Sequence, residues 1–377
     1  MRMNPPIAGP RRILLVADCV GGVWQYSLEL AAGRAAHGID TVLAVAGPRP
    51  EPGLRAEAEA IPGLRLELLD ARLDWQAQDD RGLTALRTQL IELAAGVDVD
   101  LVHLNGAALG DLPVEQPVVA TQHSCLATWW HATRPGQAVP RAWWWHRARM
   151  AAGLAAAAAV IVPSAAFASQ LREIYGPQIV VDVVHNGRVL QSRTAAPWRL
   201  AAVLTAGRLW DEAKNVRTLD AAAAGMRWPV LAAGPTHGPD GQEVRLQHMV
   251  ALGTLNGAAL EDRMRHTAVF ASLAVYEPFG LAVLEAALAG CALVLSDIAT
   301  FRELWDDAAL FVAADDPQAA RDAVNRLITA SDLRQRLGRW AQLRAREYSS
   351  EVCVRDTLAV YRRVLEQRAS PRLRATG

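Results

Sequence analysis

A chain of 377 residues is long for one hydrophobic core and natural for two. Its 39 basic and 39 acidic residues cancel, so no global field draws it to nucleic acid. At 51% hydrophobic residues the composition is globular, and the longest apolar run, residues 150–162, stops at Pro163, too short to span a bilayer.

Four scattered cysteines (Cys19, Cys125, Cys291, Cys353) form no C-x-x-C pair, so neither a zinc site nor a disulfide framework is expected and a cytoplasmic location is. Residues 13–16 are too short for the apolar core of a signal peptide, and Asp18 interrupts them. Of the 39 basic residues only Lys214 is a lysine. Arginine replaces lysine freely on a solvated surface but not where a compact ammonium is needed, so that position draws attention.

In chain order, residues 1–10 hold three prolines and read as a disordered lead-in. Residues 12–17 predict a buried strand, Gly21-Gly22 a turn, residues 23–37 a helix with Gly38 as its cap, and residues 39–46 a second strand. The glycine turn at the helix start suits either a phosphate or simply a tight turn. Further strands are expected at 64–69, 101–105 and 117–121, with a helix over 82–95. Asp98 and Asp100 spell D-x-D but precede a strand and read as turn acids. His123 follows a strand whose carboxyl end faces the ligand crevice of an open α/β sheet; it reads equally as a substrate contact or a structural histidine.

Residues 126–149 hold five tryptophans (Trp129, Trp130, Trp143, Trp144, Trp145) among Arg134, Arg141, Arg147 and Arg149. They could form a peripheral membrane face or a hydrophobic acceptor pocket; helix packing with solvated arginines is the plainer reading, and the favoured one. A helix over 151–159, a strand over 160–164, a helix over 165–175 and a strand over 180–184 complete a first domain, residues 11–185. His185-Asn186-Gly187 has turn chemistry suited to a hinge.

A second domain, residues 186–350, opens with a strand over 201–205 and a loop carrying Arg208 and Lys214, six residues apart, a pair that suits one diphosphate or reads as two solvated cations near Asp211 and Glu212. A helix over 216–224, strands over 229–233 and 250–253, and a helix over 258–266 follow. The most informative stretch comes next. A strand over 267–273 leads through Glu277-Pro278-Phe279-Gly280 into a helix over 281–289 bearing Glu285. The N–H groups of Phe279, Gly280 and Leu281 at such a helix start suit an anion, and two carboxylates eight residues apart suit paired hydroxyls; an ordinary helix start reads equally well. Strands over 292–296 and 309–312 precede two helices within 317–349, a final helix over 350–369 and a tail.

Glu277 and Glu285 with Pro-Phe-Gly between them resemble the E-x7-E motif of the family 4 retaining glycosyltransferases, whose fold is GT-B. The resemblance extends to Gly21-Gly22-Val23-Trp24, Val162-Pro163-Ser164, His185-Asn186-Gly187 and Gly207-Arg208 followed by Lys214-Asn215. It implies two Rossmann-like doubly wound domains facing a central cleft, the first on the acceptor side and the second on the donor side, with residues 351–377 crossing back as helix and tail. It further implies a nucleotide-sugar donor, no cofactor and no metal. Gly21 and Gly22 would face the donor diphosphate, and His123 the acceptor and transferred sugar. Arg208 and Lys214 would hold the diphosphate, Glu285 the ribose hydroxyls and Glu277 the transferred sugar. The family's route is same-face attack, so retention follows without an enzymic nucleophile. The acceptor stays open among glycan, lipid and small molecule. An epimerase or phosphorylase of the same fold, and an inactive scaffold, are the alternatives.

Overall fold

The computed structural model describes residues 9–189, 198–239 and 241–369. The expected lead-in falls outside these residues except for Gly9 and Pro10, of which Pro10 is buried; the expected tail lies wholly outside them.

The first sheet is seven-stranded and parallel. In chain order its elements are β1 (Arg12–Ala17), α1 (Gly22–Ala35), β2 (Asp40–Val45), α2 (Pro52–Glu59), β3 (Leu64–Leu68), α3 (Thr84–Gly96), β4 (Leu101–Leu104), β5 (Val118–Thr121), α4 (Leu126–Thr133), α5 (Trp144–Ala156), β6 (Ala159–Val162), α6 (Ala165–Tyr175) and β7 (Asp182–Val183). The spatial order is β3-β2-β1-β4-β5-β6-β7. Leu14 lies opposite Val42 on one side and Val102 on the other. Helices cover both faces of the sheet, so its inner strands read as unbroken apolar runs; Ile13 through Ala17 are all buried.

The second sheet is six-stranded and parallel, built from β8 (Leu200–Ala206), α7 (Val216–Ala223), β9 (Val230–Ala233), β10 (Val250–Gly253), α8 (Gly257–Arg265), β11 (Thr267–Ser272), α9 (Leu281–Leu288), β12 (Ala292–Ser296), α10 (Ala299–Trp305) and β13 (Ala309–Val312). Its order is β10-β9-β8-β11-β12-β13. After it come α11 (Pro317–Thr329), α12 (Ser331–Ala345) and α13 (Ser350–Ala369). α13 buries Cys353, Val354, Leu358, Tyr361 and Val364 against Ile13, Tyr26 and Leu30 of the first sheet's layer.

Strand order reverses between β1 and β4 in one sheet and between β8 and β11 in the other. Ligand crevices in open α/β sheets form at such switch points, beyond the strand carboxyl ends. The loops after β1, β4, β8 and β11 therefore define where chemistry sits.

Two helices were not legible from apolar periodicity. α2 buries only Ala58, and α10 is a seven-residue helix immediately after β12. α5 starts earlier than expected, inside the tryptophan run, and ends at Ala156, leaving Ala157 and Ala158 as a bend and Ala159 to β6.

Candidate active site at the interdomain cleft

The loop leaving β8 is built around Asp211. Its Oδ1 accepts from Ala213 N at 3.0 Å and its Oδ2 from Arg208 Nη2 at 2.9 Å, so one buried carboxylate caps a short turn and steers Arg208. Arg208 also lies over the Trp210 ring, 5.7 Å from its centroid, and its side chain stays half exposed. The turn delivers Lys214, and Asn215 fixes it in place. Asn215 adopts φ 50°, a left-handed conformation uncommon outside glycine. Its Nδ2 donates to Leu273 O and Ala314 O at 2.8 and 2.6 Å, and its Oδ1 accepts from Thr218 Oγ1 at 2.7 Å. Lys214 Nζ forms an ion pair with Glu277 in the loop after β11. The two strand exits beside the switch point are thus joined through the residues the sequence singled out.

Gly280 caps α9 at φ 93°, where a side chain would be strained, and leaves the first N–H groups of that helix without helical partners. The Phe279 side chain is buried against Tyr348 and His185, so only its backbone is available to a ligand. Glu285, in the second turn of α9, is held by a residue that sequence reading missed. Arg188 Nη2 lies 2.5 Å from Glu285 Oε1, while its Nη1 lies 3.0 Å from Glu29 Oε1 of α1. Burial opposes the charge on Arg188, but Glu285 and Glu29 outweigh burial and keep the guanidinium firmly protonated. The Glu29 carboxyl is pushed up by burial, and Arg188 only partly draws it back.

From the first domain, Gly21 turns at φ 71° and Gly22 opens α1. A Cβ at Gly22 would stand 3.0 Å from Leu281 Cδ1, so the glycine lets the loop approach the start of α9 across the cleft. His123 Nε2 lies 2.9 Å from Asn105 Oδ1. Asn105 Nδ2 already donates to Val16 O and Ser27 Oγ at 3.0 and 2.9 Å, so Oδ1 is the acceptor and Nε2 carries the His123 proton. Burial pushes the His123 imidazole down to about 4, leaving it neutral at physiological pH with Nδ1 as its lone-pair nitrogen. Tyr26 packs edge-on against the ring at 4.5 Å. Asp18, also missed by sequence reading, closes this side. Its carboxyl is raised by burial, against the hydrogen bonds from Val20 N and Trp75 Nε1 and the opposing pull of Arg208 from the second domain.

The D-x-D spelling is structural: Asp100 Oδ2 accepts from the N–H groups of Arg11 and Arg12 at 2.6 and 2.9 Å. The tryptophan run keeps the expected packing with solvated arginines at Trp130, Trp143, Arg141 and Arg147, and departs from it where it faces the second domain. Trp129 Nε1 donates to Asp211 Oδ1 at 2.9 Å, and Arg134 pairs with Glu212. Arg149 is withdrawn from solvent and pairs with Asp111. Of the five tryptophans only Trp144 is an exposed large hydrophobic residue. Tyr276, one residue before Glu277, is buried among first-domain side chains, with its hydroxyl 2.8 Å from Ser124 Oγ and 2.7 Å from Thr128 Oγ1. Ser164 Oγ donates to Pro278 O at 2.7 Å. The Glu277 loop is therefore pinned by the opposite domain on both sides.

Two family models match the chain: Glycosyltransferase Family 4 over residues 20–191 and Glycosyl transferases group 1 over residues 242–344. Among solved structures, a sucrose-phosphate synthase from Thermosynechococcus elongatus superposes with a TM-score of 0.80 at 19% identity, over 95% of this chain and all of that one. HepE of Anabaena in complex with UDP and glucose superposes at 0.72 with 16% identity, over 96% of this chain and 100% of that one. A glycosyltransferase from Rickettsia africae gives 0.72 at 14% identity, over 94% and 98%. None of the curated proteins matches significantly. At these identities the structural likeness speaks to fold: two doubly wound domains in the GT-B arrangement.

Proposed function

The chain belongs to glycosyltransferase family 4, and from that premise we propose that it moves a sugar from a nucleoside diphosphate donor to an acceptor in the cleft, with retention and without a metal. The observation that carries the reading is the pairing of the only lysine, Lys214, with Glu277 across the two strand exits at the switch point. The HepE structures contain UDP and UDP-glucose, which supports a donor of this class.

Departure of the nucleoside diphosphate builds negative charge. Arg208, Lys214 and the free N–H groups at the start of α9 form a cationic surface that can stabilise it without reorganising, because Asp211 and Asn215 already fix the turn. That is the task a divalent metal performs elsewhere. Glu277 both orients Lys214 and offers a carboxylate oxygen to a sugar hydroxyl; Glu285, steered by Arg188, offers the same to a ribose. Gly21 and Gly22 bring first-domain backbone against the opposite helix start, where the diphosphate would lie. His123, neutral with Nδ1 as an acceptor, can take a hydrogen bond from a sugar hydroxyl but cannot supply positive charge at neutral pH. Attack from the face the diphosphate leaves requires no enzymic nucleophile; a donor phosphate oxygen takes the acceptor proton. No described helix is long and apolar enough to cross a membrane. Trp129 and Arg134 turn to the second domain and contribute to the domain seam, while Trp144 stays exposed.

Lys214→Ala and Glu285→Ala should each lower transfer at least a hundredfold, since a charge-assisted contact to a developing charge is worth about 3 kcal/mol, while both variants remain folded. Near-wild-type turnover in both would sink the assignment. A thermal-shift screen with UDP, GDP, ADP and their sugars identifies the donor. NMR of the product anomer tests retention, and activity undiminished by EDTA tests metal independence.

A further inference from the structure

The short turn between β3 and α3 treats three successive side chains unequally. Asp74 Oδ2 accepts from buried His146 Nε2 at 2.8 Å, and Gln76 Oε1 accepts from Leu73 N at 3.1 Å. Asp74 is tied back to α5, and Gln76 closes the turn on itself. Trp75 between them is 41% exposed. Of the other exposed tryptophans, Trp144 carries Arg141 on its ring at 5.3 Å and Trp198 stacks with His266 at 4.7 Å; Trp75 and Trp340 have no ring or guanidinium over them among the described residues, and of these two Trp75 is the one hydrogen-bonded to the exit of β1, Trp340 lying on α12. Its one anchor is polar: Nε1 donates to Asp18 Oδ2 at 3.2 Å. Asp18 in turn accepts from Val20 N at 2.9 Å, at the exit of β1 that leads into Gly21-Gly22, and lies within reach of the Arg208 charge. A large aromatic face is thus anchored by its indole N–H beside the first-domain side of the cleft.

We propose that Trp75 is the acceptor platform of this enzyme and that the acceptor is an uncharged saccharide, one pyranose face stacking on the indole while Asp18 accepts from a ring hydroxyl. The inference rests on the reading of the cleft as a donor site. Its chemistry follows from the arrangement. An aromatic face is electron-rich and attracts the slightly positive C–H groups lining one side of a pyranose. Each Asp18 oxygen has a lone pair beyond the bonds drawn above, so hydroxyl binding need not break the anchor. A lipid tail would need a contiguous apolar patch, and Trp75 is a single ring between carboxylates. A phosphorylated acceptor would set its charge beside Asp18 and Asp74.

The test uses the full-length protein and a panel of methyl α-D-glucopyranoside, methyl β-D-glucopyranoside, methyl α-D-mannopyranoside and N-acetylglucosamine, with hexose 6-phosphates as the charged arm. The Trp75 indole N–H resonance, assigned by its loss in Trp75→Phe, should shift with at least one neutral saccharide. In turnover, Trp75→Ala should raise the acceptor KM at least tenfold with a smaller change in kcat, and Trp75→Phe, which keeps an aromatic face, should recover most of the loss. An unmoved indole signal across the neutral panel, a preference for the hexose phosphates, or unchanged acceptor kinetics in Trp75→Ala would each overturn the proposal. Nucleotide binding to the wild type separates the two readings. If UDP, GDP and ADP all fail to bind, the donor assignment falls and takes this one with it; if one binds and the indole signal stays fixed, only the acceptor assignment falls.

Discussion

Arg188 holds two carboxylates from different parts of the fold, Glu29 on α1 and Glu285 on α9. Only 12% of its side chain is exposed, so neither contact is a screened surface pair. Removing one partner from a buried ion pair leaves an uncompensated charge and costs about 3–5 kcal/mol. Arg188→Ala leaves two such carboxylates facing each other, and Glu285 already raises the Glu29 carboxyl through space. We therefore expect this variant to lose about 3–5 kcal/mol in urea unfolding and to bind the nucleotide donor at least tenfold more weakly, because Glu285 loses the group that aims it. Arg188→Lys keeps one charge but cannot bridge both acids with a planar fork, so it should fall between. Wild-type stability in Arg188→Ala would show that the triad is not coupled.

Among the elements, α13 is the one that ties the end of the chain to its beginning. Its Tyr361 hydroxyl accepts from Arg34 Nη1 at 3.3 Å and reaches His103 Nδ1, while His103 Nε2 lies 2.7 Å from Thr121 Oγ1. Burial holds His103 far below the usual imidazole range, so this chain of hydrogen bonds runs through a neutral ring. The close approach depends on Gly33 in the middle of α1, where a Cβ would stand 2.4 Å from Val354 Cγ2. Alanine is the better helix former by about 0.5–1 kcal/mol, but forcing the helices apart costs about 1–3 kcal/mol. Gly33→Ala should therefore lower the urea midpoint; a rise would mean that α13 yields without loss. The strands that frame this contact were legible in the sequence because inner strands covered on both faces must be apolar throughout, as residues 13–17 and 118–120 show. Lys214, Glu277 and Glu285 stood out as rare or paired residue types at strand exits. Arg188, Asn105 and Tyr276 did not, because each acquires its role from a distant partner: Tyr276 meets Ser124 across 152 residues of chain. The start of α5 was hidden for a different reason, a run of tryptophans with no helical period.

At the scale of the whole molecule, the second domain is held by the first through contacts that any opening of the cleft must break. The clearest is Glu303 of α10, whose two oxygens accept from Ala165 N and Ala166 N at 2.8 and 2.7 Å, capping α6 of the first domain, while His185 Nε2 lies 3.3 Å from Oε1. Burial alone would raise the Glu303 carboxyl; the hydrogen bonds from His185 and the two N–H groups outweigh it and hold it below its ordinary value of 4.5. A carboxylate lowered in the native state stabilises that state above its unfolded pKa and loses the contribution as pH falls through the native one. Glu303 is 23% exposed, so solvent screening reduces its worth to about 1–3 kcal/mol. Glu303→Gln should be less stable than the wild type by that amount at neutral pH, and the gap should close as pH falls below the ordinary carboxylate value of 4.5. A gap that stays constant through this range would mean that shape, not charge, holds α6. Small-angle scattering adds the functional half of the test. If Glu303 is a latch between the domains, the glutamine variant should be more expanded without nucleotide, and, if a donor bridges the cleft as proposed, it should contract when the donor is added, the donor replacing the closing force that the carboxylate supplied.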